Sequence, residues 1–130
     1  MTLRLGIELD YTSFADRDGL VRIARAAEDA GFDTIWCPEV YTYDAFTTLT
    51  HIACNTTTIR LGTNIAQIYS RTPALLATTA ASLDQLSGGR LVLGLGASGP
   101  QVIEGWHGVP YDRPVQRTRE IIDIVRMVWS

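Results

Sequence analysis

The sequence predicts an α/β fold: four consecutive βα units with parallel strands, half of a TIM-type (β/α)8 barrel. Three observations carry this expectation. Short apolar runs alternate with amphipathic stretches four times within 130 residues. Each repeat takes roughly 30 residues, the size of a βα unit closed by a right-handed crossover. The run Leu91–Leu95 is apolar on both faces, as in a strand covered by helices, and leaves through Gly96-Ala97-Ser98-Gly99. A complete barrel needs about 250 residues, so four units make half of one. Residues 1–130 therefore read as a single amino-terminal half-domain, with the last helix lacking any stop signal at Val128–Trp129.

The elements follow in order. Leu3 to Glu8 suits a first strand, leaving through Glu8, Asp10, Tyr11, Thr12 and Ser13. Asp16 to Ala30 carries Leu20, Ile23, Ala24 and Ala27 at helical spacing, and Gly31 ends it. Asp33 to Cys37 is a second strand, halted by Pro38, with Glu39 to Tyr43 as its exit. Asp44 can cap a helix from Ala45 to about Asn55. Ile59 to Ile65 is the third strand, interrupted by Gly62 and leaving through Asn64 to Ser70. Thr72 precedes Pro73, a good first helical residue, and that helix runs to the Gly88–Gly89 stop. The fourth strand is followed by a long loop holding Trp106, His107, Tyr111 and Asp112. Pro114 opens a last helix with Ile121, Ile124, Val125 and Val128 on one face.

Composition narrows the function. The net charge is −3, with no basic run, so neither nucleic acid nor an anionic membrane surface is an expected partner. Cys37 and Cys54 form no CxxC and read as two buried, reduced thiols. No charged-then-apolar leader and no membrane-length apolar run is present, so a soluble, cytoplasmic protein is expected. Two histidines are too few for a metal site, and no Ser-His-acid or Cys-His order stands out.

Gly94-Leu95-Gly96-Ala97-Ser98-Gly99 matches the dinucleotide pattern GxGxxG, which leaves an NAD-binding Rossmann enzyme as one reading. The pattern belongs after a first strand and directly before a helix, whereas here it follows the fourth strand and meets Pro100. In a parallel sheet the strand exits bring Glu8, Asp10, Glu39, Asn64, Gln67 and Ser98 to one rim. An acid there can move protons or hold substrate, or simply cap the next helix. His51 lies mid-helix and reads as structural, while His107 beside Trp106 is either a ligand contact or a packed loop residue.

Several stretches together resemble the bacterial luciferase-like family of flavin-type oxidoreductases. They are Ile59-Arg60-Leu61-Gly62-Thr63-Asn64-Ile65, Arg71-Thr72-Pro73, Leu83-Asp84-Gln85-Leu86-Ser87-Gly88-Gly89-Arg90 and Leu93-Gly94-Leu95-Gly96. Ala26-Glu28-Ala30-Gly31-Phe32-Asp33 and Ile35-Trp36 add to the likeness, and the run from Ser98 to Gly108 is similar to the branch using the deazaflavin coenzyme F-420 in place of FMN. The resemblance implies hydride transfer between that coenzyme, with FMN as the alternative, and a small organic substrate. It implies a third-strand bulge, often with a non-prolyl cis peptide, behind the coenzyme ring, matching Thr63, Asn64 and Ile65. It implies backbone N–H groups offered by Gly96, Ala97, Ser98 and Gly99, Glu39 as the catalytic acid, and Tyr43 and His107 toward substrate. Where some F-420 dehydrogenases carry an acid–His pair, this chain reads Glu39–Val40, and the family's phosphate-binding elements belong to the other half-barrel. A homodimer is the expected assembly. A non-catalytic half-barrel that assembles by self-pairing is the remaining alternative.

Overall fold

The computed structural model describes residues 3–10, 13 and 16–130. Tyr11 and Thr12 of the first exit lie outside the described residues. The element order is β1 (Gly6–Glu8), α1 (Arg17–Asp29), β2 (Thr34–Cys37), α2 (Ala45–Ala53), β3 (Arg60–Thr63), β4 (Ala66–Gln67), α3 (Pro73–Ser87), β5 (Leu91–Val92), β6 (Leu95–Gly96), α4 (Pro100–Ile103) and α5 (Pro114–Trp129). A parallel sheet runs in the order β1-β2-β3-β5, and a second parallel ladder joins β4 to β6. This is the expected half-barrel. The strand order does not reverse within the four-stranded sheet, so the switch point where a Rossmann fold seats its dinucleotide is missing there, and the NAD reading falls.

The helix starts follow their caps. The Asp16 carboxylate accepts from Asp18 N at 3.0 Å, Asp44 from Thr47 N at 2.6 Å, and the Thr72 hydroxyl from Leu75 N at 3.2 Å. Each satisfies an N–H that the first helical turn leaves without a partner. Helices α1, α2 and α3 cover one face of the sheet. Their apolar stripes meet the strand residues Ile35, Cys37 and Leu61, all fully buried, and Leu49, Ile52, Leu76 and Leu83 complete this core. Burying each large aliphatic side chain stabilises the fold by about 1.5–3 kcal/mol relative to exposure.

Two clamps hold the amino end of the sheet. Glu28 of α1 accepts from Thr57 N, Thr58 N and Ile59 N at 2.8, 2.5 and 2.9 Å. Burial opposes its charge, yet these N–H groups win and pull its pKa down to about 2. The Arg90 guanidinium donates to the carbonyls of Ala53, Thr56, Ile59 and Ser87 at 2.9, 3.2, 3.1 and 2.7 Å. It thereby closes the carboxyl ends of α2 and α3.

Several expectations need correction. The first strand pairs only over Gly6–Glu8, and Leu3 and Leu5 are exposed. The third strand does not break at Gly62, which lies within β3; it breaks at Asn64–Ile65, a cis peptide, and resumes as β4. The fourth strand is split at Leu93–Gly94, because the Thr63 hydroxyl takes both the N–H and the carbonyl of Gly94, at 2.9 and 2.7 Å. Leu91 to Leu95 is half-buried and not covered on both faces. Pro100 does not delay a helix but opens the short α4 inside the expected loop. Cys37 is buried, and desolvation pushes its thiol up to about 12, but Cys54 at the end of α2 is exposed. On α5, Ile121 and Val125 are buried, while Val128 is exposed and Trp129 anchors through Nε1 to Ala77 O at 3.0 Å. Among the described residues no helix is long and apolar enough to cross a membrane.

Candidate functional site

Strand alternation sends neighbouring residues to opposite faces, and the register fixes which ones share a face. Trp36 pairs with Glu8 on β1 and with Gly62 on β3. These residues, with Gly6 and Thr34, lie on the face away from the helices. The glycines make room for the indole. A Cβ on Gly6 would lie 2.5 Å from Trp36 Nε1, and one on Gly62 would collide with the six-membered ring. Trp36 is half-buried and spreads across the open face of the sheet.

Above it, the Asn64 side-chain nitrogen donates to Glu8 Oε1 at 3.2 Å, and both residues are exposed. Asn64 N in turn donates to Cys37 O at 2.9 Å, which ties the third exit to the second. Ile65 packs over the fourth exit: a Cβ on Gly96 would come within 2.8 Å of Ile65 Cγ1. Ser98 is exposed in a left-handed conformation, φ 57°, with its carbonyl accepting from Tyr111 Oη at 3.3 Å. Gly99 caps α4, and Ala97 is packed against the core. Thr63 is fully buried, and its hydroxyl is spent on Gly94. Thus Asn64, Ile65 and Gly96 lie together at the rim, with Ser98 and Gly99 continuing the fourth exit.

Glu39 sits differently. It follows Cys37 by two residues and faces the helices. Its carboxylate receives Arg71 Nη1 and Nη2 at 2.8 and 2.6 Å, Ala45 N at 3.2 Å and Gln67 N at 3.3 Å. Four donors occupy the four lone-pair directions of a carboxylate. The pair is nearly shielded from solvent, with side-chain exposures of 13% for Arg71 and 9% for Glu39. The fork of Arg71 also reaches Asp44 Oδ2, and the guanidinium stacks over Phe46 at 4.9 Å. Burial opposes the Asp44 charge, but Thr47 and the Arg71 guanidinium hold its pKa below the usual carboxylate range. Gln67, fully buried, donates through Nε2 to Glu39 O at 2.9 Å, and its Oε1 has no hydrogen-bond partner among the described residues. The rim expected from the sequence is therefore two layers: Glu8 and Asn64 at the open face, Glu39 and Gln67 beneath.

Tyr43 and His107 do come together. They line one open groove of about 400 Å3 with Glu39, Tyr41, Arg71 and Trp106. The Tyr41 and Trp106 rings meet edge to face at 6.0 Å. His107 Nε2 is buried without a hydrogen-bond partner among the described residues. His51 lies half-buried in the last turn of α2, in a separate groove with Arg22, Arg25 and Asn55, and its Nε2 likewise finds no hydrogen-bond partner among the described residues. Among the described residues no group of three or more His, Cys, Asp or Glu side chains could hold a metal ion.

Sequence reasoning missed two residues that shape the site. Trp36 was one word of a familiar stretch, and only the register with Gly6 and Gly62 reveals its bed. Arg71 was another, and its partner lies 32 positions away.

A half-barrel of parallel βα units with its polar groups at the strand exits places the chain in the α/β-barrel class. The chain belongs to the luciferase-like monooxygenase family, whose sequence pattern matches residues 3–130. It is 48% identical over 128 residues to a Mycobacterium tuberculosis protein carrying the provisional name coenzyme F-420-dependent oxidoreductase; the match covers 98% of this chain and 37% of that one. It is 38% identical over 117 residues to the 5,10-methylenetetrahydromethanopterin reductase of Methanolobus tindarius, covering 87% of this chain and 36% of that one. Its fold superimposes with a TM-score of 0.82 on the coenzyme F-420-dependent tetrahydromethanopterin reductase of Methanopyrus kandleri, at 28% identity, covering 96% and 40% of the two chains. The chain thus spans little more than a third of the length of the relatives it matches.

Proposed function

We propose that these residues form the ring-facing half of the active site of an F-420-dependent oxidoreductase, with FMN as the alternative coenzyme, acting on a small organic substrate. The observation that carries the reading is the open sheet face, where Trp36, the Glu8–Asn64 pair and the Ile65–Gly96 contact adjoin one another. Trp36 fills the space that Gly62 leaves and Ile65 the space that Gly96 leaves, so a flat tricyclic ring would meet the apolar surface of these two side chains. The names of the relative at 48% identity and of the Methanopyrus kandleri structure at 28% identity support the coenzyme class. When bound, F-420 supplies a ring carbon that carries the hydride.

The chain's own residues have separable tasks in this reading. Asn64 and Ile65 support the ring, and Gly96, Ala97, Ser98 and Gly99 offer backbone to the coenzyme. Thr63 contributes indirectly, by fixing Gly94. Glu8 is the rim acid placed to hold or move a proton at its Oε1. Tyr43 and His107 receive the substrate in the groove that they line together. Fluorescence titration of the protein with F-420 and separately with FMN tests this. Micromolar binding of either is expected, and the preferred coenzyme assigns the branch. No binding of either by a chain that circular dichroism finds folded overturns the assignment of the site to these residues.

A second reading is favoured by the apolar residues flanking the two open sheet edges: Leu3 and Leu5 beside β1, Val128 and Trp129 beside β5. In it, two copies pair edge to edge and close a barrel as a non-catalytic homodimer. Sedimentation of a coenzyme-free sample separates the readings, since a monomer rules the second one out.

A further inference from the structure

We propose that Arg71 and Glu39 are positioning residues that hold the Asn64–Gln67 turn in place for the coenzyme, so that Glu39 acts through its acceptor geometry and not as a proton carrier. This rests on the function proposed above. The geometry runs in one direction. Arg71 grips both Glu39 oxygens with a planar fork, which fixes the carboxylate plane. The fixed carboxylate accepts the Gln67 N–H, and the Glu39 carbonyl accepts the Gln67 side chain, so one residue holds Gln67 at two points. Ser70 closes the turn from the other end, donating to Gln67 O at 3.2 Å and accepting from Arg71 Nη1 at 3.3 Å. Flanking Gln67, Ala66 N and Ile68 N bond the carbonyls of Gly94 and Gly96, so the held turn carries the fourth strand exit with it.

The Gln67 amide is a private reporter. Its neighbours Ala66 and Ile68 are held by the ladder to β6, whereas Gln67 N–H is held by the Glu39 side chain. Hydrogen–deuterium exchange on the coenzyme-free protein therefore reads the clamp directly. In Arg71→Met, Gln67 exchange should rise at least ten-fold beyond whatever rise Leu61, in β3, shows through the loss of global stability. In Arg71→Lys, which keeps the charge but not the fork, the rise should be at least three-fold. If Arg71→Met fails to fold, Arg71→Lys decides alone. Gln67 exchange that follows Leu61 in every folded variant overturns the clamp.

The link to the coenzyme is read separately. Arg71→Lys should weaken F-420 or FMN binding about five-fold at unchanged far-ultraviolet dichroism, and Glu39→Gln should weaken it similarly. Wild-type protein that binds neither coenzyme removes the function proposed above and leaves the exchange result standing. Wild-type binding with the same affinity in both variants overturns the transmission from clamp to site.

Discussion

Glu8 and Glu39 leave neighbouring parallel strands at the same end of the sheet, and the fold treats them in opposite ways. Glu8 shares the face of Trp36, is exposed, and has Asn64 as its partner at 3.2 Å. Glu39 shares the face of Cys37, is nearly shielded from water, and holds four donors. Glu8 is in register with Trp36, and three positions further on, past the end of β2, Glu39 turns to the other side: one acid is open to a ligand and the other is committed to architecture. Acid identity at a strand exit is therefore uninformative until its face is known.

The largest expected effect comes from breaking the committed side. Arg71→Met strands the Glu39 carboxylate with its desolvation uncompensated, and should cost about 3–5 kcal/mol in urea unfolding. The double variant Glu39→Met/Arg71→Met should recover most of that loss, because an apolar pair of similar volume needs no hydration. A double variant as unstable as the single one would mean that the backbone N–H groups of Ala45 and Gln67, and not the charge pair, dominate the cluster.

Next in size is the bed of Trp36 on the open side. Gly62→Val places branched carbon where the indole lies, and should cost about 1–3 kcal/mol as overpacking. The companion variant Gly62→Val/Trp36→Ala should regain stability relative to Gly62→Val alone. Tryptophan fluorescence and thermal melting together check this, and an unshifted Trp36 emission in Gly62→Val would contradict the packing described.

A smaller effect, with a defined pH window, tests the amino end of the sheet. Glu28 has a folded pKa of about 2 against an ordinary 4.5, because backbone N–H groups favour its charged form. A depressed carboxylate pKa gives stability that is present above the unfolded value and lost as pH falls through the folded one. Stability should therefore drop between pH 4.5 and about 2, and Glu28→Gln should flatten that stretch. At neutral pH the substitution should cost about 1–2 kcal/mol, the scale of hydrogen bonds to a charged acceptor after screening. Urea midpoints across this range are the measurement.

These contrasts explain what the sequence made legible. Helix starts were readable because Asp16, Asp44 and Thr72 are caps whose partners lie within three residues. The parallel order was readable because four repeats of similar length leave few topologies. The break at Asn64–Ile65 was readable only through the family resemblance, since a single Asn in an apolar run, though a turn former, does not mark where the strand ends. The split at Gly94 was not readable, because it depends on a Thr63 hydroxyl 31 residues earlier. The fate of Glu39 was hidden for the same reason, its guanidinium partner being distant in sequence. Cys54 caps α2 with helical dihedrals and is exposed, a placement that cysteine count and spacing do not encode.

The smallest expected effect on stability falls on the open pair, and its smallness is the point. Asn64→Ala removes a solvent-exposed hydrogen bond to Glu8 but leaves Asn64 N donating to Cys37 O. An exposed charge-assisted contact of this kind is worth up to about 1 kcal/mol, so thermal melting should barely move. If the open face is the coenzyme face, the same substitution should weaken F-420 or FMN binding several-fold, because the side chain that orients the rim acid is gone. Glu8→Gln keeps the hydrogen bond but not the charge, and should spare affinity more than Asn64→Ala does. A large melting shift in Asn64→Ala would make the pair structural, like its buried neighbour, and erase the distinction between the two acids. Unchanged stability with weakened binding would sharpen it, by showing that the exposed layer of the rim serves the ligand and the shielded layer serves the fold.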